Sequence, residues 1–290
     1  MIERAPSREN LFEVSAATIA SFNHPEENQD YYFCSEQGAG VFDGLGSHSR
    51  SSEASKIAGD LACELMREVD ISLAKEESAR QLTRILHLCH QAITKYQASE
   101  NIRLATTAAI AQIFEDPDTQ QKYVQIAHAG DSRVYIVRSN EVVLETLDHS
   151  AGYEDLGATG YRDVQQRLND EENYTDMDPW DAFFARQRNY VGSNLGGQRQ
   201  VIDTQAFDVD ADDILLITTD GIHDNLKTSE MLECTKSVPF YALGDTLVHR
   251  AHDQSKTPRY SYREFDGESH EVESFRAKPD YMTAVVMKII

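Results

Sequence analysis

The sequence predicts an α+β fold, in which strands and helices occupy separate blocks of the chain. Runs that are typical of strands are clustered, and two helical patterns follow each other directly, so the elements do not alternate as in a doubly wound parallel sheet. The 290 residues are 40% hydrophobic and 26% charged, as in folded soluble proteins. No repeat and no flexible linker divides the chain, which favours a single domain over residues 11–290 after a polar leader at 1–10.

The N-terminal third predicts strands followed by two helices. Short apolar and β-branched segments lie between turn formers at 12–20, 31–34 and 40–42, which is typical of strands. Apolar residues then recur at three- and four-residue spacing over 53–69 and 76–97, which places them on one face of each of two helices.

The rest of the chain predicts further strands and two insertions. Strand patterns occupy 106–114, 123–129, 134–137, 213–219 and 283–289, and a helical pattern lies near 243–251. Asp116-Pro117-Asp118 suits a turn between the first two of these strands. The acidic segment 151–187 and the charged segment 254–278 fit neither the helix period nor the strand period, and we expect both to be surface insertions.

The charge balance excludes several classes of partner. Lys and Arg total 27 against 49 Asp and Glu, so the formal net charge is −22. Nucleic-acid binding needs clustered basic residues, and anionic membranes would repel such a surface, so neither partner is expected. No apolar run reaches the length of about 18 residues that spans a membrane, and the N-terminus has no apolar signal core. A cytoplasmic location is therefore expected, with the four cysteines as free thiols.

Several aspartates stand at the predicted ends of strands, most of them beside a glycine. They are Asp30, Asp43 before Gly44, Asp131 after Gly130, Asp220 before Gly221, and Asp280. A single Asp-Gly pair is most often a turn. As a set, however, converging carboxylates repel one another unless a cation neutralises them, and hard oxygen ligands favour Mg²⁺ or Mn²⁺ over zinc.

An ordered series of motifs gives the sequence a family resemblance. The series is Asn28-Gln29-Asp30, Val41-Phe42-Asp43-Gly44-Leu45-Gly46-Ser47-His48, Thr106-Thr107, Ala127-His128-Ala129-Gly130-Asp131-Ser132-Arg133-Val134-Tyr135, Asp148-His149-Ser150, Asp220-Gly221 and Asp280-Tyr281-Met282-Thr283. In this order the motifs resemble the metal-dependent type 2C serine/threonine protein phosphatases, particularly the bacterial members. The resemblance runs from about residue 12 to the C-terminus and is interrupted by the two insertions.

The resemblance implies a four-layer α-β-β-α sandwich, in which two antiparallel sheets are flanked by helices. It also implies a centre of two Mn²⁺ or Mg²⁺ ions at one edge of the sheets. Carried over by motif, the implied roles are Asp43 as the ligand of both ions, the Gly44 carbonyl on one ion, Asp220 and Asp280 on the other, Asp131 at a possible third ion, and Asp30 and Gln29 just outside the direct ligands.

The implied activity is hydrolysis of phosphoserine and phosphothreonine in proteins by a metal-activated water. No phosphoenzyme is needed, and the sequence agrees with this, because it contains neither a Cys-x5-Arg loop nor a Gly-x-Ser-x-Gly turn. The expected partner is a phosphorylated protein substrate, and a monomer is expected. The segment 151–187 occupies the place of the family's mobile flap, and its acidity predicts a preference for basic phosphopeptides.

Two departures from the family pattern keep other functions open. Many members have an arginine before the Asn-Gln-Asp motif that grips the substrate phosphate, but none lies between Arg8 and Arg50. His24 or Arg50 could replace it, although each is more often a solvated residue. Tyr281 also stands where the family has asparagine. A pseudophosphatase that binds phosphoproteins with little or no turnover is the main alternative, and a hydrolase of small phosphorylated compounds is the other.

Overall fold

The computed structural model describes residues 11–46, 50–265 and 268–290. The predicted leader at 1–10, together with Ser47 and His48 of the second motif, lies outside the described residues. Within them the four-layer α-β-β-α sandwich is confirmed, with two antiparallel sheets in the middle and helices on both outer faces.

The first sheet contains both ends of the described chain. In spatial order its strands are β1 (Phe12–Ile19), β13 (Met282–Ile289), β10 (Ile214–Thr218), β7 (Arg133–Arg138) and β8 (Glu141–Glu145). All neighbours are antiparallel, and Phe12 lies opposite Ile289. The apolar runs of β10 and β13 follow from this position, because both strands have a neighbour on each side and are buried on both faces.

The second sheet carries the first half of the motif series. Its strands, in spatial order, are β2 (Asp30–Cys34), β3 (Gly38–Leu45), β5 (Ala108–Glu115), β6 (Lys122–Ala129) and β9 (Asp203–Asp208), and the short β4 (Ala105–Thr106) pairs with the end of β3. Side chains alternate between the two faces of the sheet. Thus Val41 belongs to the core between the sheets, whereas Phe42 belongs to the core under the helices.

Two groups of helices cover the sheets. The second sheet is covered by α1 (Ser51–Arg67) and α2 (Lys75–Glu100), and the first by α5 (Asp220–His223), α6 (Thr228–Ser237) and α7 (Leu243–Ser255). The four cysteines are free thiols, as predicted. None of the described helices is both long enough and apolar enough to cross a bilayer.

The two insertions have regular structure, which the sequence analysis did not predict. Residues 151–187 contain α3 (Ala151–Leu168) and α4 (Pro179–Ala185), which pack on each other around Tyr161 and Phe184. Gly157, at φ +69°, interrupts α3 and its apolar period. Residues 254–278 contain a hairpin of β11 (Tyr260–Phe265) and β12 (Glu268–Glu273).

Candidate metal centre

The aspartates that end different strands meet in one cleft of about 550 Å³. Asp43 lies near the end of β3, Asp131 follows β6, Asp220 follows β10 and Asp280 precedes β13. These strand ends share one edge of the two sheets. The sequence-predicted residues that line the cleft are Gln29, Asp43, Gly44, Asp131, Asp220 and Asp280.

The Thr106-Thr107 motif positions the backbone of Asp43. The Asp43 N–H donates a hydrogen bond to Thr107 Oγ1 over 3.0 Å, and the Thr106 hydroxyl donates to the Asp43 carbonyl oxygen over 2.9 Å. Thr107 Oγ1 also lies 2.7 Å from the Ser132 hydroxyl, so the Gly-Asp-Ser-Arg motif is tied to the same point. Both threonines are fully buried, so these bonds are not exposed to competing water.

Gly44 lies where no side chain fits. Its N–H donates to the Gln29 carbonyl over 3.1 Å, and a β-carbon at this position would lie 2.5 Å from the Ser51 carbonyl oxygen. Only glycine allows this close approach of β3 to the start of α1. The Asp-Gly pair is thus part of a strand and not a turn.

Asp30 lies beneath the cleft and links the two sheets. In the register of β2 and β3, the backbone of Asp30 lies opposite that of Asp43. Asp30 Oδ2 accepts a hydrogen bond of 2.7 Å from the Thr219 hydroxyl. That hydroxyl in turn accepts a hydrogen bond of 3.0 Å from the Thr283 N–H in the other sheet. Asp30 is not among the residues that line the cleft, so it supports the strand ends that carry Asp43 and Asp220 from behind.

Asp280 is oriented by the backbone of Tyr281, the residue that stands where the family has asparagine. The Tyr281 N–H donates to Asp280 Oδ1 over 2.9 Å, a bond that any residue except proline could make. The Tyr281 side chain is buried in the wall of the cleft. The tyrosine at this position therefore changes the lining of the cleft, but it keeps the backbone hydrogen bond that orients the Asp280 carboxylate.

The family model described as protein phosphatase 2C matches residues 23–259. The chain belongs to the protein phosphatase 2C family.

Individual relatives agree with this membership. The serine/threonine phosphatase stp of Listeria monocytogenes is 28% identical over 199 residues, which cover 68% of this chain and 71% of the relative. The structure of the Streptococcus agalactiae serine/threonine phosphatase superposes with a TM-score of 0.70 at 19% identity and covers 96% of this chain and 100% of its own. The catalytic domain of PstP in complex with two manganese ions gives a TM-score of 0.66 at 17% identity, with 96% and 98% covered.

In this phosphatase cleft, burial and mutual repulsion make the ionised form of the aspartates unfavourable. Burial, and then the charges of Asp30 and Asp220, raise the pKa of Asp43 well above its usual value. Burial and the neighbouring Asp220 likewise raise the pKa of Asp280, to about 6. Among the described residues, Asp131 Oδ1 and Asp220 Oδ1 are buried oxygens without a hydrogen-bond partner. Such a cluster is the arrangement that a bound cation stabilises.

Basic groups also reach the cleft, and the sequence analysis missed them. Lys278 Nζ forms ion pairs with Asp220, with Asp224 at 2.8 Å and with Asp280 at 3.0 Å. Burial alone would lower the pKa of Lys278, but these carboxylates raise it well above its usual value, so the amine is charged. Burial also opposes ionisation of Asp224, yet Lys278 and Arg188 outweigh it and hold the Asp224 pKa well below its usual value.

Arg188 lines the cleft at the end of the flap. Its guanidinium lies 4.4 Å from the centre of the Phe275 ring, and Nη1 donates to the Phe275 carbonyl over 2.6 Å. These contacts hold the planar group in the cleft wall, 3.6 Å from Asp224. The signal in the sequence was weak, because Arg188 lies far along the chain from the Asn-Gln-Asp motif.

The two residues predicted as replacements for the phosphate-gripping arginine, His24 and Arg50, are not among those that line the cleft. Arg50 instead donates hydrogen bonds to Glu53 over 2.8 Å and to the Tyr96 hydroxyl over 2.8 Å. Its guanidinium therefore already has partners on α1 and α2.

Proposed function

We propose that this protein phosphatase hydrolyses phosphoserine and phosphothreonine in proteins with two Mn²⁺ or Mg²⁺ ions held by Asp43, Gly44, Asp220 and Asp280. The observation that carries the proposal is the convergence of buried aspartates from separate strands in one open cleft. Membership of the protein phosphatase 2C family supports the reaction, and the manganese complex of PstP supports the metal.

The donor set fits such ions. Carboxylate and carbonyl oxygens are the ligands that Mg²⁺ and Mn²⁺ prefer, and the unpartnered oxygens of Asp131 and Asp220 are available to them. When bound, divalent cations lower the pKa of a water molecule and neutralise the phosphoryl oxygens. We propose that Asp131 takes part only at a third, weaker position, and that Asp30 and Gln29 act from outside the direct ligands.

The chain's own residues orient the substrate. We propose that Arg188 binds the phosphoryl group, because a guanidinium presents paired donors that match phosphate oxygens. The stacking of Arg188 on Phe275 fixes the plane of those donors before substrate arrives. In this way Arg188, which directly follows the flap, supplies the cation that the Asn-Gln-Asp region lacks.

The test is hydrolysis of an aryl phosphate, a sugar phosphate and a phosphothreonine peptide by the purified protein with Mn²⁺, Mg²⁺ or chelator. We expect metal-dependent turnover of the peptide that falls by about a hundredfold or more in Asp220→Asn, because a direct ligand is lost. Asp212→Asn is the matched control, since Asp212 lies just before the other end of β10 and its exposed carboxylate pairs with Lys288.

Two results would contradict the proposal. Tight metal binding with no turnover of any substrate would support the pseudophosphatase alternative. Turnover of the sugar phosphate but not of the peptide would support a small-molecule hydrolase.

A further inference from the structure

A lysine ammonium lies on the carboxylates that the proposed function assigns to a metal ion. Lys278 Nζ pairs with Asp220 and Asp280, and only 12% of the lysine side chain is exposed. Its third partner, Asp224 at 2.8 Å, has no proposed metal-binding role. The amine is thus a cation supplied by the chain itself at one half of the metal centre.

The backbone of Lys278 is held on the element that carries two of these carboxylates. Asn225, which lies two residues after α5 and is fully buried, accepts a hydrogen bond of 3.0 Å from the Lys278 N–H and donates one of 2.9 Å to the Lys278 carbonyl. The same amide group donates to the Gly221 carbonyl over 2.9 Å. The backbone of Lys278 is therefore fixed to the short segment that carries Asp220 and Asp224. This places the lysine amine against their carboxylates.

We propose that Lys278 competes with the divalent ion of Asp220 and Asp280, so that this ion binds more weakly than it would to the carboxylates alone. The inference rests on the proposed function and concerns the regulation of the same site. The ammonium contacts Asp220 Oδ2 and Asp280 Oδ2, so a divalent ion bound to these two carboxylates would lie close to it, and the two positive charges would repel. When the ion binds, the amine leaves Asp220 and Asp280 and keeps its partner Asp224.

This arrangement has two consequences. Without the ion, Lys278 offsets the repulsion among the aspartates and stabilises the metal-free protein. With the ion, part of the binding free energy is spent on displacing the amine, so the site fills only at higher metal concentration. The occupancy of the ion position at Asp220 and Asp280 then depends on the concentration of divalent cation.

The experiment is calorimetric titration of Mn²⁺ into the full chain as wild type, Lys278→Met, Lys278→Arg and Lys288→Met. We expect Lys278→Met to bind one Mn²⁺ ion about tenfold more tightly or better, because the competing charge is gone. Lys278→Arg keeps the charge and should stay near wild type. Lys288→Met removes a partly exposed ion pair with Asp212, far along β13 from the cleft, and should also stay near wild type.

Thermal unfolding gives an independent readout that does not depend on activity. In chelator, Lys278→Met should unfold at a lower temperature than wild type, and saturating Mn²⁺ should raise its unfolding temperature by more than it raises that of wild type. Should Lys278→Met fail to fold in chelator, Lys278→Gln provides the same comparison with a polar side chain.

The outcomes separate this inference from the proposed function. If wild type binds Mn²⁺ and Lys278→Met binds it with equal or lower affinity, the lysine organises the ligands and the inference is wrong. If Lys278→Arg gains affinity as Lys278→Met does, charge is not the cause and the inference is again wrong. If wild type binds no Mn²⁺ and hydrolyses no phosphopeptide, the proposed function fails and the inference fails with it.

Discussion

Two buried histidines of the motif series stack on each other, with ring centres 4.8 Å apart. His128, His149 and Asp203 lie close enough together to suggest a second metal site. However, His149 Nδ1 accepts a hydrogen bond from the Gly130 N–H, and His149 Nε2 lies 3.2 Å from Asp203 without forming a hydrogen bond. His128 Nε2 contacts the Leu147 carbonyl at 3.0 Å, and Asp203 accepts a hydrogen bond of 3.3 Å from the Tyr153 hydroxyl, so we interpret the histidines as structural.

We predict that the buried His128 destabilises the fold at acid pH. Burial, and then the neighbouring His149, lower the pKa of His128 from 6.5 to about 4. Between these values the unfolded chain binds more protons than the folded one, so the free energy of unfolding falls as pH falls from 6.5 towards 4. Full protonation would cost about 3 kcal/mol, at 1.36 kcal/mol per pKa unit.

The variant His128→Gln tests this, because its amide can still donate to the Leu147 carbonyl that His128 Nε2 contacts at 3.0 Å. We expect the stability difference between wild type and variant to shift by about 3 kcal/mol in favour of the variant between pH 7 and pH 4. Urea unfolding at several pH values measures it. The exposed His249→Gln is the control for the loss of a histidine, and a profile for His128→Gln that runs parallel to wild type would contradict the prediction.

At the same scale, the sequence allowed the carboxylates of the cleft to be predicted but not the basic groups. Asp43, Asp220 and Asp280 stand beside strongly apolar strands, so their position at strand ends is visible in the local pattern. Lys278 and Arg188 lie in segments without a clear period. Their side chains reach the cleft through contacts with Asn225 and Phe275, which lie 53 and 87 positions away, and no local pattern predicts such contacts.

At the scale of elements, the flap depends on one buried arginine. Arg276, which follows the β11–β12 hairpin, donates hydrogen bonds to the Leu168 and Asn169 carbonyls at the end of α3 and to the His223 carbonyl of α5. Burial lowers the pKa of Arg276 to about 10, so the guanidinium is still charged at neutral pH. It caps the C-terminus of one helix and ties it to another.

We predict that Arg276→Met loosens the flap and lowers the free energy of unfolding by about 3–5 kcal/mol, because buried carbonyls lose a charged donor. Hydrogen exchange resolved by peptide should increase most over α3 and the neighbouring hairpin, while β10 and β13 keep their protection. Arg250→Met is the control, since Arg250 is exposed and lies 3.6 Å from Glu233. Uniform deprotection of the whole chain would show that Arg276 supports the fold and not the flap in particular.

The strands and the helix α3 that the sequence analysis missed lack a clear apolar pattern for physical reasons. Predicted strands such as those at 123–129 and 283–289 are buried on both faces, so their apolar runs are continuous. By contrast, β8 and β9 are edge strands with mixed exposure, and the β11–β12 hairpin is largely exposed. α3 packs only on the small core of the insertion, and Gly157 breaks its period, so neither helix nor strand could be predicted there.

At the scale of the whole molecule, the net charge of −22 does not represent the local charge of the cleft wall. The acidic residues of the flap are largely engaged elsewhere: Asp178 caps α4, Glu172 pairs with Lys227 and Asp176 pairs with Arg263. The residues in or next to the flap and the hairpin that line the cleft instead include Arg186, Arg188 and Arg259. The preference for basic phosphopeptides, predicted from the acidity of residues 151–187, is therefore opposed by the charge of the cleft wall.

The positions of Arg186 and Arg259 favour acidic over basic phosphopeptides. Both pair with Glu273, at 2.8 Å each, so this trio keeps one net positive charge at the edge of the cleft. Both side chains are more than half exposed and can therefore reach a substrate. A carboxylate flanking the phosphorylated residue would gain from this charge, whereas a basic flank would be repelled at short range.

We therefore predict that the double variant Arg186→Gln/Arg259→Gln lowers kcat/KM about fivefold to tenfold for a phosphothreonine peptide with acidic flanks and changes it little for one with basic flanks. Arg250→Gln on α7 is the control for loss of a surface arginine. Raising the salt concentration should increase kcat/KM for the acidic peptide in every variant, because the long-range repulsion from the net charge is screened within about 10 Å at 0.1 M salt. If wild type instead favours the basic peptide and the double variant keeps that preference, the acidic residues of the flap control substrate choice and the cleft arginines do not.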